Sequence, residues 1–107
     1  MNSSTESHKL TVSLPDRKRL VKALSSEARW KMLKELTCGE ARAVGELAAV
    51  AGVQYANAGR HLAVLRDAGL VAQGRGRLYQ IPKQYLPNPG QPVVDYGHCQ
   101  LRLDAGE

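Results

Sequence analysis

From about residue 20 to residue 68 the apolar positions recur at helical spacing, and only near the end of the chain do they alternate. Leu20, Val21 and Leu24 give a first helix its apolar stripe, and Pro15-Asp16 suits its opening. Ser26 is placed to cap a second helix with Glu27 in its first turn. Trp30, Leu33 and Leu36 recur along it beside Met32, and Cys38-Gly39 ends it. A short third helix spans 44–50 with Leu47, Val50 and Ala51 facing inward and Glu46 in its first turn. Gly52 then closes it at a position suited to positive φ, and Val53 anchors the turn. The fourth helix spans 54–68, buries Ala58, Leu62 and Leu65, and stops at Gly69. Gly59 and the alanines let it lie close to its neighbour, the glycine at a cost of ~1 kcal/mol in helicity.

Residues 70–73 and 77–81 read as two strands joined by Gly74-Arg75-Gly76, and Pro82 ends the second. Pro87 to Pro92 is a stiff connector that cannot be helical. Beyond it Cys99, Leu101 and Leu103 alternate with Gln100 and Arg102, the period of a half-buried strand. Met1 to about Val12 is rich in Ser and Thr, lacks periodicity and reads as a mobile tail.

An amphipathic helix, a glycine turn, a second amphipathic helix and a basic hairpin are the parts of a winged helix-turn-helix. Such a fold sets one helix in the major groove and a loop on the flanking backbone. The expected fold is therefore mainly α with a small β-hairpin wing (α+β) and an additional C-terminal strand. The expected organisation is a flexible tail over 1–13, the winged helix-turn-helix over 14–86, and a connector with a structural or dimerising strand over 87–107.

Subtracting the buried stripe from the fourth helix leaves Tyr55, Asn57, Arg60, His61 and Val64 toward solvent or at its edge. Asn pairs bidentately with adenine, and Arg with guanine or a phosphate. Tyr55 suits a thymine methyl or a phosphate, and Gln54, near the N-cap, a base or the first turn. His61 borders the buried stripe and suits packing or phosphate donation. Arg75 and Arg77, beside the wing's glycines, suit phosphate or minor-groove contact. Double-stranded DNA is the expected partner. A winged-helix protein-interaction module is the alternative. It requires an apolar or acidic face, and Arg60, Arg66, Arg75 and Arg77 oppose that.

Fifteen basic residues against ten acidic ones leave a formal charge of +5, which favours a polyanionic partner. Its placement is more informative. Residues 9–34 hold eight basic and two acidic side chains, and residues 60–83 hold five and one. With no Phe and one Trp, the core must come mainly from Leu, Val and Ala. No apolar run approaches the ~20 residues that span a bilayer, so the expected location is cytoplasmic, with reduced cysteines. No motif has the spacing of a catalytic or cofactor site, and neither an enzyme, a cofactor nor a metal is expected.

The segments Leu24-Ser25-Ser26-Glu27-Ala28-Arg29-Trp30-Lys31-Met32-Leu33, Val44-Gly45-Glu46-Leu47-Ala48 and Arg60-His61-Leu62-Ala63-Val64-Leu65-Arg66-Asp67-Ala68-Gly69-Leu70-Val71 closely resemble ArsR-type winged-helix transcriptional regulators. The likeness runs from about Leu20 to Ile81. It implies a homodimeric bacterial repressor that leaves DNA when a metal or another effector binds. The chain departs from that family in three ways. Residues 44–50 contain no Cys, His or Asp, where metal-sensing members carry a cysteine pair. Residues 53–59 lack the Ser/Thr-rich start of the recognition helix. The usual C-terminal dimerisation helix is replaced by the connector and strand.

Two features stand apart from DNA reading. Some relatives sense sulfur or oxidants through two distant cysteines, a role open to Cys38 and Cys99 only if their Cα atoms come within ~7 Å and one thiol is accessible with a low pKa. A metal site at His98/Cys99 is disfavoured because neighbouring strand residues point to opposite faces. The segment 93–103 can extend the wing sheet, pair with a symmetry mate, or cover its own core.

Overall fold

In the computed structural model the described residues are 18–97 and 99–104. The expectations for the N-terminal tail, for Pro15-Asp16 and for His98 lie outside them. Helix α1 is described over residues 18–24, and Ser25 and Ser26 separate it from α2 (Glu27–Leu36). Ser26 caps α2 as expected, its hydroxyl accepting from the Arg29 amide at 3.3 Å. The chain then forms β1 (Arg42–Ala43), α3 (Val44–Ala51), α4 (Tyr55–Asp67), β2 (Ala72–Gln73) and β3 (Leu78–Gln80). A short 3-10 turn (Lys83–Tyr85) leads to the hairpin of β4 (Val93–Asp95) and β5 (Gln100–Arg102).

Helices α2, α3 and α4 enclose the core, with Met32, Leu33, Leu36, Leu47, Leu62 and Leu65 fully buried among them. The turn between α3 and α4 is three residues long. Gly52 adopts φ 72°, where a side chain would be strained, and the amide of Val53 donates back to Ala48 O at 3.0 Å. At the other end of α3 the Glu46 carboxylate accepts from the Ala43 amide at 2.9 Å and ties down the first turn. Helix α4 closes in the same manner as α3: Gly69 takes φ 79°, and the Leu70 amide reaches Leu65 O at 3.0 Å.

The wing is a three-stranded antiparallel sheet in the order β1-β3-β2. Arg42 lies opposite Tyr79, and Ala72 opposite Gln80. Its strands β2 and β3 are shorter than the expected 70–73 and 77–81, and the two-residue β1 is too short to leave a periodic trace in the sequence.

Three packing expectations are corrected. Val50 is 42% exposed, because Val44, Leu47, Ala48 and Ala51 set the inward face of α3. Val21 is 63% exposed, and Ala23 fills the core position of α1 between the half-buried Leu20 and Leu24. Gly59 is not needed for close approach, since a Cβ there would meet nothing within 4 Å.

The C-terminal segment covers the core of its own chain. Val93 pairs with Arg102 and Asp95 with Gln100, while Val94, Tyr96 and Leu103 are buried. Three polar contacts strap it down: Trp30 Nε1 donates to Leu103 O at 3.0 Å, Tyr96 Oη to Leu70 O at 2.8 Å, and the Gly90 amide to Thr37 O at 2.9 Å. Burial pushes the Tyr96 phenol well above its ordinary pKa, so it remains a hydrogen-bond donor. Among the described residues, no helix is long and apolar enough to cross a membrane.

Candidate nucleic-acid interface

Helix α4 has one buried stripe, Ala58, Leu62 and Leu65, and on its other side Gln54, Tyr55, Asn57 and Arg60 are exposed. Gln54 is the N-cap residue, but its side chain makes no capping bond, which leaves its amide at the rim of the helix start. Asn57 and Arg60 are three residues apart and so share one helical face. Among the described residues, neither has a side-chain hydrogen bond or ion pair. Both side chains are exposed and so open to a ligand.

His61 is set apart from that group. It is half-buried, and its Nδ1 lies 3.0 Å from Arg29 Nη1. The Arg29 guanidinium also donates to Ala23 O and Lys22 O, each at 2.9 Å, so it binds the end of α1, the start of α2 and the side of α4 together. Burial and, secondarily, the Arg29 charge lower the His61 pKa from its ordinary value. The neutral ring accepts from Arg29 at Nδ1.

The wing tip exposes Arg75 and Arg77, with Gly76 at φ 63° between them. Arg75 has no partner among the described residues. Arg77 donates from Nη1 to Tyr55 Oη at 2.8 Å. Pairing across 22 residues leaves no local signal, and sequence reasoning missed it. Arg66, exposed near the end of α4, is likewise engaged, donating to Gln73 Oε1 at 2.8 Å and pairing with Asp67 at 3.5 Å.

Cys38 and Cys99 are free, half-buried thiols. Cys38 Sγ accepts from the Glu40 amide at 3.4 Å just beyond α2. Burial, then the nearby Asp95 carboxylate, raises the Cys99 pKa, the reverse of what a reactive sulfur requires. Among the described residues, no three His, Cys, Asp or Glu side chains gather where a metal could bind.

A helix pair with a three-residue turn, an exposed polar face on its second helix and a basic hairpin alongside define a winged helix-turn-helix domain. The chain belongs to the helix-turn-helix domain family, whose model matches residues 15–74, more than half of its length. That family includes ArsR-like regulators, and it is a DNA-binding regulatory domain that is not typically enzymatic. The match takes in α1 to α4 and the wing strands β1 and β2, and the C-terminal hairpin lies outside it. No curated protein matches the chain.

Proposed function

We propose that this protein is a sequence-specific regulator of transcription, a repressor of ArsR type that acts in the cytoplasm as a homodimer on double-stranded DNA. Helix α4 reads the major groove through Asn57 and Arg60, with Gln54 and Tyr55 at its leading end. The wing grips the flanking backbone or minor groove through Arg75, and His61 holds α4 from behind. The observation that carries this reading is the exposed polar strip of Asn57 and Arg60 on the side of α4 away from its buried stripe, together with an exposed wing arginine, Arg75, all three without a partner among the described residues.

A two-fold dimer would favour a pseudo-palindromic operator with half-sites about 34 Å apart, one helical turn, or a multiple of it. The test is titration of the full chain against duplexes from its own promoter region and scrambled duplexes, at two salt concentrations, with sedimentation of the free protein and the complex. The expected result is a preferred duplex bound by two copies, with affinity that falls steeply as salt rises. Equal binding to preferred and scrambled duplexes would overturn sequence-specific regulation, and a single bound copy would overturn the dimer.

A further inference from the structure

Tyr55 occupies the first helical position of α4 and is 50% exposed. It is held on two sides. Arg77 Nη1 donates to its hydroxyl at 2.8 Å, with the guanidinium carbon 5.8 Å from the ring centroid. On the other side the ring rests against the start of α3, where a Cβ on Gly45 would stand 4.0 Å from Tyr55 Cε2. The backbone of Arg77 is fixed to the same corner, its carbonyl accepting from the Val44 amide at 3.2 Å. The starts of α3 and α4 and the returning strand of the wing therefore meet at one tyrosine–arginine pair.

We propose that Tyr55 and Arg77 form a clasp that sets the wing at a fixed distance from the recognition helix before DNA arrives, with Arg77 acting as a positioning residue and not as a phosphate contact. The proposal rests on the duplex-binding reading given above and deepens it. The wing strands are two and three residues long, and so short a hairpin is only marginally ordered by itself. A wing that must be ordered on binding loses conformational freedom at that moment, whereas a clasped wing has already lost it. The two wing arginines then divide the work: Arg75, uncommitted, meets the polyanion, and Arg77 holds the hairpin in place.

The test uses the full chain as wild type, Tyr55→Phe, Arg77→Ala and the double variant. In the DNA-free protein, hydrogen exchange of the Gly74 amide, which bonds Leu78 O at 2.8 Å, reports on wing order. Exchange should speed up equally in each single variant and no further in the double. Affinity for the preferred duplex should fall about two- to tenfold in each single variant, the range of one lost hydrogen bond, and by the same factor in the double. Tyr55→Phe removes no charge, so its salt slope should match wild type while its affinity falls. Additive affinity losses, or Gly74 exchange unchanged in Tyr55→Phe, would overturn the clasp. A wild type without duplex preference would instead overturn the underlying reading, and that result appears before any variant is made.

Discussion

Asn57, Arg60 and Arg75 hold their polar groups out to solvent with no partner among the described residues, while the β4–β5 hairpin commits its polar groups inward and along itself. In the hairpin, Tyr96 donates to Leu70 O and Leu103 O accepts from Trp30. Asp95 accepts from the Gly97 amide at 2.9 Å and from Gln100 Nε2 at 3.1 Å. Both regions are short surface stretches. On the proposed reading the domain separates its tasks: the exposed side chains of α4, without partners among the described residues, serve recognition, and the contacts of the hairpin with the core add to stability. A substitution in one region should therefore move one property and leave the other in place.

The largest effect is expected in the hairpin. Leu103 is fully buried, and Leu103→Ala should cost about 2–5 kcal/mol of folding stability, measured by urea denaturation. The exposed Arg102→Ala beside it should stay within about 0.5 kcal/mol of wild type. Folded Leu103→Ala should bind duplex as wild type does, and a specific loss of affinity there would break the division of labour.

On α4 the expectation reverses. Arg60→Ala should leave the urea midpoint nearly unchanged, relax base preference and weaken binding to the preferred duplex by roughly 1–3 kcal/mol. Arg75→Ala should weaken all sequences similarly and flatten the salt slope by about one unit. If Arg60→Ala changed neither affinity nor preference, the outward face of α4 would not be the reading surface.

The two regions also differ in how much of them could be read from the chain. The α3–turn–α4 unit was legible because its signals are local: a glycine at the one position needing positive φ, and apolar residues at helical spacing along α4. The exposure of Tyr55, Asn57 and Arg60 followed from the same phase, and that of Gln54 from its place at the N-cap. Val50 and Val21 misled because a valine at a stripe's margin looks more core-like than an alanine on it, and Ala48 and Ala23 took the buried positions. The hairpin was half legible. The alternation through Cys99, Leu101 and Leu103 marked β5, but Val93-Val94-Asp95 is too short a run to mark its partner. Which of its three arrangements the hairpin would take depended on contacts such as Trp30 to Leu103, 73 residues apart, which leave no periodic trace. The Tyr55–Arg77 pair between α4 and the wing leaves none either.

A smaller effect should sharpen the picture of α4 itself. With open space where its Cβ would be and no positive φ, Gly59 weakens the helix without a packing return. Gly59→Ala should raise stability by about 0.5–1 kcal/mol, read from the urea midpoint. A destabilised variant would mean that α4 approaches a neighbour more closely at this position than its geometry shows.

The smallest effect belongs to His61, which lies on α4 yet is turned inward to Arg29. Its pKa is lowered in the folded protein by burial and then by the Arg29 charge, relative to about 6.5 for an unperturbed imidazole. The unfolded chain therefore binds the proton more readily. The stability that His61 contributes is complete above pH ~6.5 and is lost as pH falls through that value toward the lower folded one. Partial solvation keeps the effect small. His61→Asn retains an acceptor for Arg29 but cannot titrate, so the stability difference between wild type and this variant should shrink as pH falls from 7 toward 5. That difference also isolates His61 from the chain's other two histidines. A difference constant over that range would mean that neither burial nor the Arg29 charge disfavours the protonated ring in the folded protein.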